Sequence, residues 1–161
     1  LVEIYSLVLM PNHFHLCIKQ LVDNGISLWM HRACNSHARY FNIKNERHGA
    51  LFMGRFRYTP VMEDRQLFHL FVYIHANPLD LIMSEWRDGS ISHWQKSKSF
   101  LENYRWSSYG LFTKNSVIDE INSLVSTDFP ASILKSWGGL EDGIRNWSQR
   151  DYNESKNIFL E

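Results

Sequence analysis

The sequence predicts an α+β fold: early β-segments, then amphipathic helices. Three observations predict it. Residues 13–19 alternate apolar and polar with the period of a strand, residues 26–41 and 63–76 carry apolar side chains at three- and four-residue steps, and turn signals separate these segments. A chain of 161 residues, 44% hydrophobic, 14% aromatic and 21% charged, is the size and composition of one globular domain with a short appendage. That composition excludes a mainly disordered or collagenous chain.

Taken in order, Leu1 to Met10 is rich in Val, Leu and Ile and reads as a strand, interrupted by Pro11-Asn12. It lacks the basic lead-in and small-residue cleavage site of a signal peptide. The strand pattern resumes at His13-Phe14-His15-Leu16-Cys17-Ile18-Lys19, where Phe14, Leu16 and Ile18 alternate with His13, His15, Cys17 and Lys19. Asp23-Asn24-Gly25 is a turn. Ile26, Trp29, Met30, Ala33, Cys34, Ala38 and Phe41 then mark a helix, with Ser27 as its expected cap and His48-Gly49 closing it. Leu51 to Met62 is aromatic and β-branched enough for a further strand, with Arg55, Arg57 and Thr59 on one alternate set and Pro60 making its far end irregular. A second helix is expected from about Glu63 to Ala76, packing through Leu67, Leu70, Phe71 and Ile74, with Pro78 behind it. Ile82 to Trp94 reads as loop with short structure. Tyr104-Arg105-Trp106-Ser107-Ser108-Tyr109 is a compact aromatic motif. Residues 113–161 read as a helical C-terminal extension broken by Pro130 and Gly138-Gly139, with Trp137 and Trp147 as anchors, after a domain spanning 1–112.

Formal net charge is zero, but residues 1–60 hold seven basic against three acidic side chains and five of the eight histidines, while residues 113–161 hold five against eight. A basic front suits a polyanionic partner. No apolar run reaches the roughly 18 residues that span a bilayer, so no membrane partner is expected. Two cysteines, Cys17 and Cys34, are too few for a disulfide framework and read as reduced, intracellular thiols.

The chemistry-bearing residues fall in two places. Histidines two apart on a strand project from one face with Cα atoms about 6.5–7 Å apart, near enough for both imidazoles to meet one metal. The same pair also suits two ordinary hydrogen-bonded residues. On the second helix Tyr73 and Asn77 lie one turn apart and group with Gln66 and His69 beside the packing stripe. They suit a site, or a tyrosine covering a core edge and an asparagine capping the helix before Pro78. His31, His37, His48, His75 and His93 read as surface or capping residues, and Cys17 as a packed thiol.

Met10-Pro11-Asn12-His13-Phe14-His15 resembles the histidine–hydrophobe–histidine signature of single-tyrosine transposases of the HUH superfamily, especially the REP-associated tyrosine transposases. The similarity continues through Arg39-Tyr40-Phe41-Asn42, Gly49-Ala50-Leu51-Phe52, Gly54-Arg55-Phe56 and Tyr73-Ile74-His75-Ala76-Asn77-Pro78, ending at Trp106-Ser107-Ser108-Tyr109. The resemblance implies a ferredoxin-like α/β sandwich, an antiparallel sheet with helices packed on one face. It implies a metal-dependent enzyme acting on single-stranded or hairpin DNA, in which Tyr73 attacks a phosphodiester and leaves a 5′-phosphotyrosine and a free 3′-hydroxyl. His13, His15 and Asn77 would hold a divalent metal, Mg2+ or Mn2+. A phenol with a pKa near 10 needs such help to become a nucleophile at neutral pH. The phosphotyrosine conserves the bond's energy, so strand joining needs no nucleotide cofactor.

Arg55, Arg57, Arg39 and Lys19, with Arg32, are the candidate phosphate contacts, and Tyr40, Phe56 and Tyr58 the candidate stacking residues. Phe41, Phe52 and Phe56 are also candidates for the core. The resemblance further implies a cytoplasmic, nucleoid-associated protein acting as a monomer or homodimer. Family members carry a strand and a helix ahead of the histidine strand, where this chain has almost nothing; a sheet one member short, with an open edge, is therefore expected. Two other readings share these residues: a catalytically inactive nucleic-acid-binding remnant, and a metal-dependent hydrolase using water in place of tyrosine.

Overall fold

The computed structural model describes residues 1–89, 91–113, 121 and 123–147, and has the α+β architecture. Two antiparallel strands, β1 (Val2–Leu9) and β2 (Phe14–Gln20), are joined by the Pro11-Asn12 turn. Among the described residues this pair is the whole sheet. Its register shifts between Ile4 and Ser6, leaving Tyr5 as a bulged residue. The bulge sorts the side chains. Ile4 and Leu7 pair with Ile18 and Leu16 and gather Trp29, Ile121 and Val125 into a small apolar cluster. Tyr5, Val8, Met10 and Cys17 join the main core.

The far edge of β1 is not bare. Val8 bridges Ser107, Ile4 bridges Val125, and the Leu9 and Ser108 amides donate to the Trp106 and Leu7 carbonyls at 2.8 and 2.9 Å. The Trp106–Tyr109 motif therefore acts as a clip on the sheet edge.

Helix α1 (Gly25–Lys44) starts after Asn24, whose left-handed backbone (φ 57°) makes the turn. Ser27 is not its cap; the Gln20 side chain instead accepts from the Ile26 amide. The helix ends at Lys44, before His48-Gly49. Helix α2 (Asp64–Ala76) begins where the sequence indicates, with Asp64 in its first turn. Its expected stripe, Leu67, Leu70, Phe71 and Ile74, is buried, but so are Phe68, Val72, Tyr73, His75 and Ala76. A helix apolar on nearly every side is a core helix. Neighbours reach it from the sheet and from the helices that follow. Helix packing is thus not confined to one face of the sheet: α2 lies on the Val8/Cys17 side, and Trp29 of α1 belongs to the cluster on the other.

The strand expected over Leu51 to Met62 does not form. That segment is irregular and largely exposed, with Gly49 in the left-handed region (φ 94°) at its entry and Pro60 near its end. Aromatic and β-branched composition favours a strand only where a neighbouring edge supplies hydrogen bonds and half-buries the side chains. Here the segment is attached through Phe52, whose ring meets Phe14 edge-on at 6.3 Å.

After α2 come two short 3₁₀ turns, Asn77–Leu81 and Ser84–Asp88, then α3 (Trp94–Asn103), α4 (Tyr109–Phe112), α5 (Asp128–Ser136) and α6 (Leu140–Arg145). Pro130 does not break α5, because it sits in the first turn, where no intrahelical donor is lost. Gly138 and Gly139, both at positive φ, do separate α5 from α6. The described part of 113–161 shares the main core: Ile133, Leu134, Leu140, Ile144 and Trp147 are buried in one cluster with α2. Gly143 lets α6 approach closely, since a Cβ there would stand 2.7 Å from Val72 and 2.8 Å from Phe68. Trp147 is buried, whereas Trp137 is half exposed and stacks on Phe68. Residues 148–161 lie outside the described residues.

Candidate active site

Alternation along β2 turns His15 and Cys17 toward α2, and the carbonyl of His13 accepts from the Met10 amide to close the turn before it. The His13 and His15 rings meet edge-on with centroids 5.0 Å apart. On the other side of the gap, the Tyr73 ring stands edge-on to His15 at 5.5 Å. His15 of the β-segment pair and the helical tyrosine ring therefore meet. Burial pushes the Cys17 thiol up to about 12, which keeps it protonated, as expected of a packed thiol.

Tyr73 and Asn77 do not lie on a solvated flank: Tyr73 is 2% exposed and Asn77 fully buried. Trp86 and Trp147 wall the tyrosine, at ring distances of 6.2 and 6.5 Å. The Asn77 amide is engaged at both ends. Its nitrogen donates to the Tyr73 carbonyl at 2.8 Å, which extends the end of α2, and its oxygen accepts from Arg87 at 3.2 Å.

Arg87 had no place among the sequence-derived candidates. Its Nη1 donates to the Tyr73 hydroxyl at 3.2 Å, and its guanidinium also lies 5.5 Å from the centre of the tyrosine ring. Asp80 holds it from behind through Nε at 3.0 Å and through a close Nη2 contact, and Trp86 Nε1 donates to the same carboxylate at 2.6 Å. Partial burial pulls the guanidinium down, but the hydrogen bonds it donates to Asp80 and Tyr73 outweigh it, so Arg87 stays charged.

His75 departs from its expected surface position and is fully buried. Its Nδ1 lies 2.8 Å from the Phe71 carbonyl and its Nε2 2.8 Å from Ser108 Oγ. A carbonyl can only accept, so Nδ1 carries the proton and Nε2 accepts from the serine, which in turn accepts from the Leu7 amide at 3.0 Å. Burial lowers His75 to about 4, and it stays neutral. It ties α2 to β1 and the edge clip rather than serving the cleft. His31, His37, His48 and His93 are exposed.

A cleft of about 990 Å3 opens between β2, α2 and the 56–62 segment, lined among others by His13, His15, Lys19, Arg57, Tyr58 and Arg87. Lys19 and Arg57 thus face the same space as the histidines. Arg55 and Arg39 are exposed but do not line it. A second cavity of about 650 Å3, bounded by Glu3, Tyr5, Lys19 and residues 125–129, does not include the paired histidines, and Tyr73 lines neither cavity.

The donors offered to a divalent cation are the two imidazoles. His13 Nδ1 lies 2.7 Å from the Asn12 side-chain oxygen, a contact that leaves Nε2 as the lone-pair nitrogen. Asn77 Oδ1, the third expected ligand, already accepts from Arg87. Among the described residues no group of three or more His, Cys, Asp or Glu side chains gathers around a cation-sized space.

Comparison with family models, curated proteins and solved structures gives no match to the chain. No helix among the described residues is long and apolar enough to cross a membrane.

Proposed function

We propose that the protein is a nicking and strand-transfer enzyme for single-stranded or hairpin DNA, with Tyr73 as its nucleophile. The reading rests on the family resemblance of the ordered motifs, and the ferredoxin-like sandwich and a cytoplasmic, nucleoid-associated setting belong to the same proposal. The observation that carries it is the meeting of His15 and Tyr73 at 5.5 Å, with His13 beside them.

In this mechanism the Tyr73 oxygen attacks phosphorus, the P–O3′ bond breaks, and a 5′-phosphotyrosine and a free 3′-hydroxyl remain. His13 and His15 would hold Mg2+ or Mn2+, which supplies positive charge at the scissile phosphate. Lys19 and Arg57 would hold the backbone along the cleft, with Arg55 and Arg39 extending the basic surface beyond it. Tyr58, 77% exposed, offers a face for an unpaired base.

The test is covalent capture. The 161-residue chain, a single-stranded hairpin oligonucleotide and Mn2+ are expected to give a protein–DNA adduct that survives denaturing electrophoresis. The adduct is absent in Tyr73→Phe and strongly reduced in His15→Ala. An adduct that persists in Tyr73→Phe contradicts the assignment, and cleavage leaving a free 5′-phosphate without adduct favours a water-using hydrolase.

A further inference from the structure

We propose that the outer face of α1 is a duplex-binding surface: Arg32 and Arg39, with Asn35 and Ser36 between them, seat the helix in the major groove of a DNA stem, apart from the cleft that takes single strand. Naming DNA as the duplex rests on the reading above; the surface itself uses neither Tyr73 nor a metal.

Charge is segregated along the chain. It carries 17 basic and 17 acidic side chains, yet between Asp23 and Glu63 six Lys and Arg stand against a single acid, Glu46. Helix α1 has no acidic residue over its 20 positions. An exposed helix ordinarily mixes both signs, because i,i+4 pairs of opposite charge stabilise it and like charges repel. Among the described residues Arg32 and Arg39 bond to no carboxylate, so the fold itself makes no use of their charge.

The helix has two distinct sides. Met30, Cys34, Ala38 and Phe41, at three- and four-residue steps, are turned to the body of the protein and are buried or half-buried. Arg32, Asn35, Ser36 and Arg39 follow the same steps on the opposite side, and all four are exposed. The Asn35 amide nitrogen lies 2.9 Å from His31 Nε2, which steadies it. Arg32 and Arg39 are two turns apart, about 10 Å along the axis. A helix about 10–12 Å across enters a major groove about 12 Å wide, where Arg and Asn read base edges and Arg and Ser bind phosphates. A lipid surface would require a continuous apolar face, whereas Leu28 and Ile43, the exposed apolar residues of this side, stand at opposite ends of the helix.

The inner side of α1 lines the cleft through Ile26 and Met30, where Lys19 and Arg57 also face. One helix therefore separates the two basic surfaces. A stem on its outer face and an unpaired strand on its inner side lie about one helix diameter apart, the arrangement that a junction between duplex and single strand requires.

The experiment reads binding by fluorescence anisotropy in EDTA, with the 161-residue chain and two probes. One is a blunt DNA duplex of about 16 base pairs, one and a half helical turns, and the other an oligo(dT) of the same length. In Arg32→Ala/Arg39→Ala, duplex binding is expected to weaken about 10-fold or more and its salt slope to flatten by about 1 to 2. Oligo(dT) binding is expected to stay within about two-fold, and Arg57→Ala to give the reverse pattern. Alanine is the strongest helix former and both arginines are exposed, so the double variant keeps its fold. No duplex binding by wild type, or an equal loss on both probes in the α1 variant, overturns the proposal. It falls equally if vesicles of phosphatidylserine and phosphatidylcholine bind wild type as tightly as the duplex does and lose binding in the same variant. Duplex loss in the α1 variant together with no adduct from the wild-type chain supports this surface and counts against nicking; an adduct with unchanged duplex binding does the opposite.

Discussion

The two walls of the cleft are built differently. Behind the cleft lining on the α2 side, Tyr73, Asn77, His75 and Trp86 are almost entirely buried and their polar atoms are bonded to named partners. On the other side, residues 53–58 and Met62 are exposed, with Met53, Tyr58 and Met62 among the most accessible apolar side chains of the described residues. The first region would hold the proposed nucleophile to a fixed geometry, which chemistry requires. The second offers charge and aromatic faces, which backbone and base contacts require. Each wall is fitted to a different half of the proposed task.

The sharpest contrast is in stability. Trp86→Ala removes a fully buried indole and orphans part of the Asp80 carboxylate, and is expected to cost about 3–5 kcal/mol. Met53→Ser on the other wall is expected to stay within about 0.5 kcal/mol. Urea melts of the two variants check this, and equal losses would erase the distinction between the walls.

Acid sharpens the same contrast. His75 has its folded value lowered to about 4 against an ordinary 6.5, so the unfolded chain binds the extra proton between those limits. Its contribution is complete above about pH 6.5 and is lost as pH falls toward 4, by up to about 3 kcal/mol. Melts of wild type and His75→Gln at pH 7 and pH 4.5 measure it. Their stability difference is expected to narrow at the lower pH, and an unchanged difference would show that the buried imidazole carries no such linkage.

The smallest effect is expected from Arg57→Ala, which leaves the melt unchanged and weakens binding of single-stranded DNA several-fold. The salt slope is expected to flatten by about 0.7, the contribution of one phosphate contact to a single strand. Arg39→Ala, outside the cleft lining, is expected to do less. If Arg39→Ala weakens binding more, the DNA path does not follow the cleft.

Much of the first wall was legible in the sequence. The alternation in 13–19 gives the histidine face, and the four-residue step from Tyr73 to Asn77 gives their shared position, because both depend on local periodicity. Their burial was not legible, since it comes from Trp86 and Trp147, which arrive from later segments. Arg87 left no signal at all: it lies in a 3₁₀ turn without periodicity, and only the reversal after Asn77-Pro78 brings it over Tyr73. His75 misled for a similar reason, because its partner Ser108 is 33 residues away. The 51–62 segment misled in the opposite sense, having strand composition but no ladder among the described residues to join.

The proposed chemistry requires the imidazole pair and the phenol to share one cation-sized space, and paramagnetic broadening by Mn2+ tests that directly. Stoichiometric Mn2+ added to protein labelled with 13Cζ-tyrosine is expected to broaden the Tyr73 signal first, with the effect abolished in a His13→Ala/His15→Ala variant that keeps its fold. A Tyr73 signal that stays sharp while other tyrosines broaden, or broadening that survives loss of both histidines, would contradict it.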